Sequence, residues 1–115
     1  MQIVELHSPA EHTEALPTLR EVYPWLEEGH YAALLAEMID YGYPQFGLRK
    51  EAAEIVALAG VAVHINIYYG RYLNVYDLVV REDERSKGYG DMLMDHVEEI
   101  GRRQGCETCK LGPGP

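Results

Sequence analysis

Apolar and polar positions along this chain change period several times, and each change marks an element. Gln2 to Leu6 alternates as a short strand. Ser8-Pro9-Ala10-Glu11 then supplies an N-cap, a proline at the first helical position and a glutamate at N3, the pattern that opens a helix. That helix is expected to bend or split near Pro17, which lacks an amide hydrogen, and to end before Pro24. Tyr31, Leu34, Leu35, Met38 and Ile39 form the single apolar stripe of a second helix, stopped by Tyr41-Gly42-Tyr43-Pro44. A strand from Gln45 to Arg49 and a polar turn from Lys50 to Glu54 lead into the longest strand. Its residues Ile55, Ala57, Ala59, Val61, Val63, Ile65 and Ile67 fall on one face by strict alternation, and that face is expected to be core.

Tyr69-Gly70-Arg71 turns the chain into a further strand, Tyr72 to Val80. Asp91 to Arg103 carries Leu93, Val97 and Ile100 at helical spacing beneath Tyr89, with Gly101 and Gly105 expected to loosen and close this third helix. Cys106 to Leu111 reads as a short last strand before Gly112-Pro113-Gly114-Pro115. The order predicts an α+β fold, a mixed, mainly antiparallel sheet of about five strands with three helices on its faces. The 115 residues, 47% hydrophobic, suit one domain over residues 1–115, with no internal repeat or linker.

Charge and cysteine content narrow the chemistry. Ten Lys and Arg against 19 Asp and Glu give a net charge of −9, which repels phosphate backbones, disfavours nucleic acid as a partner and favours cations. No apolar run reaches the roughly 18–20 residues of a membrane span, and the start lacks the basic flank and apolar region of a signal peptide, so a cytoplasmic protein without membrane partners is expected. Cys106 and Cys109 are spaced C-x-x-C, but on a strand residues three apart have Cα atoms about 10 Å apart, beyond the roughly 7 Å a disulfide spans. The histidines at 7, 12, 30, 64 and 96 show no finger-like spacing, so no metal site is expected and both thiols are expected to stay reduced.

The candidate chemistry lies between the fourth strand and third helix, in Val80-Arg81-Glu82-Asp83-Glu84-Arg85-Ser86-Lys87-Gly88-Tyr89-Gly90. The first amides of a helix lack intrahelical partners, Gly88 and Gly90 let an anion approach them without meeting a Cβ, and Arg85 and Lys87 bring countercharge. A Walker loop is absent, and a dinucleotide fingerprint needs a third glycine where Leu93 stands.

An aliphatic residue, four variable positions and R-x-x-G-x-G at this junction resemble the acyl-CoA pyrophosphate signature of the GCN5-related N-acetyltransferase (GNAT) superfamily. Asn66-Ile67-Tyr68-Tyr69-Gly70-Arg71-Tyr72, Asp77-Leu78-Val79 and Gly105-Cys106 are similar to one bacterial and archaeal branch of it. The resemblance covers nearly the whole chain and implies transfer of an acetyl group from acetyl-CoA, as cosubstrate, to a small-molecule or protein amine by direct attack on the thioester. Backbone amides from Ser86 to Asp91, including those of Lys87, Gly88, Tyr89 and Gly90, would hold the pyrophosphate, with Arg85 and Lys87 in support. Leu78, Val79 and Val80, where the family bends or bulges its fourth strand, would pair with pantetheine and turn their side chains to the core.

Direct attack needs a neutral amine, and a lysine-like amine is less than about 0.1% neutral at pH 7, so a base or water must take its proton. Asp77 is the candidate catalytic carboxylate. Tyr76, Asn74 and His64 could line the acceptor cleft, with Tyr23, Trp25, Tyr31, Tyr41 and Tyr43 in or beside the helices above it. Family members continue past the fifth strand with a helix, which usually carries the tyrosine that protonates the thiolate, and two more strands. The chain given ends earlier, which implies a C-terminally shortened domain whose fifth-strand edge is covered by a homodimer mate or another partner chain. The alternative is a non-catalytic remnant that binds CoA or a protein.

Overall fold

The computed structural model describes residues 1–50 and 54–112. Its elements are β1 (Gln2–Leu6), α1 (Pro9–Leu19), α2 (Glu28–Asp40), β2 (Gln45–Lys50), β3 (Glu54–Asn66), β4 (Gly70–Val80), a 3-10 turn (Glu82–Glu84), α3 (Tyr89–Arg103) and β5 (Thr108–Leu111). The five strands form one sheet in chain order, antiparallel throughout except that β4 and β5 run parallel, with α3 as the crossover between them. The middle of the turn expected over 50–54, and the last three residues, lie outside the described residues.

Local signals set the helix starts. Ser8 accepts the Glu11 amide at 3.1 Å while the Glu11 carboxylate accepts the Ser8 amide at 2.9 Å, a closed capping box. The helix does not split at Pro17 but runs through it to Leu19. In α2 the expected stripe narrows: Tyr31 and Leu35 are buried, whereas Leu34 and Ile39 are exposed. Helix α3 starts at Tyr89, two residues earlier than expected, because Gly88 at φ 83° turns the chain into it. Gly101 does not loosen the helix; it is buried against Leu73, where an added Cβ would sit 3.4 Å from that side chain. Cys106 lies in the turn after α3 rather than on a strand, with its amide donating to the Gly101 carbonyl, and both cysteines are free thiols.

Two bulges divide the core. At the first, Leu48 pairs with Ala57 and Arg49 with Ile55, so Val56 is the extra residue on β3. The insertion breaks the expected single apolar face. Ala57, Ala59 and Val61 pack with Leu73, Val75, Leu93 and Val97 on the α3 side, while Ile55 joins Leu16, Leu19, Tyr31 and Leu35 on the α1 and α2 side. Ile65 and Ile67, placed in the core by alternation, are exposed, the latter beyond the end of β3. At the second bulge Gly60 pairs with Asp77 and Val61 with Val75, which leaves Tyr76 as the extra residue on β4.

The segment after β4 is tied down from three directions. The Glu82 amide donates to Glu21 at 2.7 Å, Arg81 Nε donates to the Thr18 hydroxyl at 3.1 Å, and Thr18 in turn donates to the Ile55 carbonyl at 2.7 Å. Glu84 is buried and accepts Lys87 Nζ at 2.9 Å and Lys50 Nζ at 3.0 Å, joining the loop to the end of β2. The hydrogen bond from Lys87, then that from Lys50, holds its carboxyl below the ordinary value.

A depressed carboxyl contributes stability that is present above its unfolded-state value of about 4.3 and is lost as pH falls through the folded one. Glu84→Gln should therefore melt lower than the wild type at pH 7, and the difference should close as both are acidified below about pH 4. Thermal melts from pH 7 to 3 check this, and parallel melting curves at every pH would show that the ion pairs contribute nothing. A second expectation concerns Gly60, where a methyl group would collide with the ring and hydroxyl of buried Tyr43. Gly60→Ala should cost about 1–3 kcal/mol in chemical denaturation, and much less in a Tyr43→Ala background.

Candidate functional site

Strand β4 pairs with β5 only from Tyr72 to Val75. Beyond the Tyr76 bulge it keeps β3 on one side, through Leu78 with Ala59 and Val79 with Leu58, but among the described residues no strand pairs its other edge from Tyr76 to Val80. Val79 is buried and Val80 packs toward α3, whereas the Leu78 side chain, expected in the core, is exposed. The bulge falls at Tyr76, just before the expected Leu78 to Val80 stretch.

This open edge leads into the loop. Ser86 at φ 65° and Gly88 at φ 83° both have positive φ, and left-handed residues are the backbone form from which anion-binding nests of successive amides are built. Among the described residues the amides of Ser86, Lys87, Gly88, Tyr89, Gly90 and Asp91 donate to no protein acceptor, and this stretch is exposed or half-buried. An added Cβ at Gly88 would meet nothing within 4 Å, and one at Gly90 would meet only Val80 Cγ2 at 3.6 Å, an ordinary contact. Packing within the protein therefore does not explain the bare Cα of Gly90. The bare Cα leaves the first helix amides open to close approach, and the cradle has room for a diphosphate on that ground.

The two expected countercharges are already engaged. Lys87 pairs with Glu84, and Arg85 donates through Nε to the Val80 carbonyl at 3.2 Å while its guanidinium lies 4.0 Å from Glu21. The cradle is thus main-chain in character, with its cations held at the rim by carboxylates.

On the other side of β4 the bulge turns Asp77 toward α1 and α2, paired across the strands with Gly60. Its carboxylate accepts the Tyr23 hydroxyl at 2.5 Å and the Tyr43 hydroxyl, which reaches it over the bare Cα of Gly60. Tyr31 donates to Gln45 at 3.0 Å. The hydrogen bond to Asp77 pushes the Tyr23 phenol up to about 12, burial does the same for Tyr31, and burial followed by Asp77 raises Tyr43 further still. All three phenols stay protonated at neutral pH and act as donors. Asp77 is consequently the charge on the floor of a largely apolar cavity of about 200 Å³ whose walls include Trp25, Leu34 and Met38.

His64 and Tyr76 also meet on this face, with Nε2 2.6 Å from the hydroxyl and the rings edge-to-face at 5.8 Å. Asn74 does not line a cleft; it is fully buried and donates to the Gly112 carbonyl at 2.8 Å. Tyr41 is exposed and is not among the cavity-lining residues. Among the described residues no cluster of three or more His, Cys, Asp or Glu could hold a metal, and no helix is long and apolar enough to cross a membrane.

Sequence reading named Asp77 as the candidate carboxylate and set Tyr23, Tyr43, Tyr76 and His64 around the cleft, but it missed the hydrogen bonds from Tyr23 and Tyr43 to Asp77 and the contact of His64 with Tyr76. A glycine inside a long apolar strand, Gly60, was the available signal for the first, since it marks a close approach. The pairing of His64 with Tyr76 depends on the bulge and had no local signal.

Comparison with known proteins agrees with this architecture. The chain is 32% identical over 111 residues to the uncharacterized N-acetyltransferase YhdJ of Bacillus subtilis (strain 168), a match that covers 96% of this chain and 78% of that protein. A GNAT family acetyltransferase from Staphylococcus aureus subsp. aureus USA300_TCH1516 superposes with a TM-score of 0.79 at 24% identity, over 100% of this chain and 89% of the other. The aminoglycoside N-acetyltransferase AAC(6')-Iy, solved in complex with CoA, has the same fold, with a TM-score of 0.82 at 13% identity over 99% of this chain and 77% of that one. The model of the acetyltransferase (GNAT) family matches residues 4–113. With the open β4 edge, the amide cradle and a family match along nearly its whole length, the chain belongs to the GNAT acetyltransferase family.

Proposed function

We propose that this protein transfers an acetyl group from acetyl-CoA to an amine. The observation that carries the reading is the continuity of the open β4 edge, Tyr76 to Val80, with the unengaged amides from Ser86 to Asp91. An exposed strand edge suits the amide-bearing pantetheine arm as an added strand, and helix-terminal amides suit the diphosphate. Leu78, Val79 and Val80 thus act through their backbone. Each amide bond to a charged phosphate oxygen contributes on the order of 1.5–3 kcal/mol. Arg85 and Lys87 would exchange a carboxylate for a phosphate when the cosubstrate is in place.

Bound acetyl-CoA supplies an activated thioester: the amine nitrogen bonds to its carbonyl carbon, the carbon–sulfur bond breaks, and a proton leaves nitrogen as one is gained at sulfur. A main-chain amide of β4 beside the bulge is suited to polarise the carbonyl. Asp77 already receives two phenol hydrogen bonds, so it is arranged to draw a cation rather than to carry a proton away. The His64–Tyr76 pair sits where β4 parts from β5, and imidazole is the side chain best suited to exchanging a proton at neutral pH. His64 is our assignment for the group that takes the proton from the amine.

Gly90→Ala separates ligand from fold. The free variant should melt no lower than the wild type, because the methyl meets only ordinary contact and alanine favours helix, yet acetyl-CoA should bind at least about tenfold more weakly in a thermal-shift titration. Unchanged acetyl-CoA affinity in this variant would remove the cradle. His64→Gln should leave acetyl-CoA binding intact and lower the thiol-release rate with an amine by on the order of 10²-fold. Thermal shift by acetyl-CoA with no thiol release from any amine would favour a non-catalytic CoA-binding protein instead.

A further inference from the structure

The cavity over Asp77 has a chemistry narrower than "amine", and this inference rests on the transferase reading above. Its walls are the rings of Tyr23, Trp25 and Tyr43 with Leu34 and Met38, and its floor is the Asp77 carboxylate. Tyr31 donates to the Gln45 side-chain carbonyl oxygen, and the Tyr23 and Tyr43 hydroxyls donate to Asp77. The carboxylate keeps acceptor capacity, since its two oxygens offer about four lone-pair sites and the phenols use two. An incoming ligand therefore finds one anionic contact, a few neutral polar groups and a wall that is otherwise apolar. The exposed edges of Trp25 and Leu34 lie at the chamber's wall, and Tyr23 and Trp25 meet edge-to-face at 5.7 Å, which offers ring surface to a cation's flank.

We propose that this chamber receives the acceptor as a primary amine on a compact hydrocarbon or aromatic body, its ammonium against Asp77 and its body among Tyr23, Trp25, Leu34 and Met38. A polyamine would leave its further ammonium groups without anionic partners in the lining. An amino sugar would bring several hydroxyl groups, each giving up water, against a wall with few polar groups to receive them. The net charge of −9 draws cations of every kind toward the molecule, so selection among them falls to the chamber.

Trp25 is the chain's single tryptophan, so its emission reports on the wall of the chamber in the unmodified protein. Titration with isopentylamine and cyclohexylmethylamine, in the absence of acetyl-CoA, should shift that emission saturably. The alcohol of matching shape, spermidine and glucosamine should each bind at least about tenfold more weakly. Asp77→Asn should abolish the preference for amine over alcohol. Because Asp77 also holds two phenols, Trp25→Ala, at an exposed position outside the core, serves as the second variant: followed by thermal shift, it should weaken cyclohexylmethylamine binding while the free protein melts as before.

Equal binding of spermidine or glucosamine, or an amine preference that survives Asp77→Asn, would overturn the proposal. Thiol release from acetyl-CoA with polyamines, amino sugars or peptide amines but not with the apolar amines would overturn it too, while leaving the transferase reading standing. Failure of acetyl-CoA to bind at all would instead sink the transferase reading, and with it the role of acceptor for whatever amine the chamber holds.

Discussion

One inserted residue in β4 decides both halves of the site. Up to Val75 the strand alternates normally, with Leu73 and Val75 facing α3. Without the bulge at Tyr76, Asp77 would share that face and put a carboxylate into the α3 core, where an unpaired charge is strongly unfavourable. With it, Asp77 turns to the α1 and α2 side and meets two phenols. The same insertion falls where pairing with β5 stops, so the bend that redirects the charge also marks the start of the free edge.

Gly60 completes the arrangement from the neighbouring strand. It stands opposite Asp77, and its missing side chain is the space through which Tyr43 reaches the carboxylate. Any larger residue there would close that route. Two features separated by many residues, a glycine in β3 and an extra residue in β4, are thus one device seen from two strands.

The order of elements was legible in the sequence because each depends on local rules. The capping box at Ser8, the apolar spacing in α3 and the glycines after β4 act over a few residues and leave a direct trace. The resemblance to acetyltransferases rested on the same local loop, and the family match bears it out. What alternation could not show was register. Neither Val56 nor Tyr76 differs in character from its neighbours, yet each shifts everything beyond it to the other face, which is why Ile55 was assigned to the wrong half of the core. The partners that Glu84 and Asp77 find on distant segments, Lys50 for the first and Tyr23 and Tyr43 for the second, were equally hidden.

Buried Glu84 has a bearing on selectivity. With Lys87 and Lys50 on its carboxylate and Glu21 beside Arg85, the loop is close to electrically self-sufficient before anything arrives. Such a loop exerts little pull on anions at large, and on a strongly acidic molecule simple phosphates gain little by settling there. Under the proposed function, what it rewards is a visitor whose shape lets it engage the row of amides together, so discrimination at this end of the molecule would be exercised by outline more than by charge.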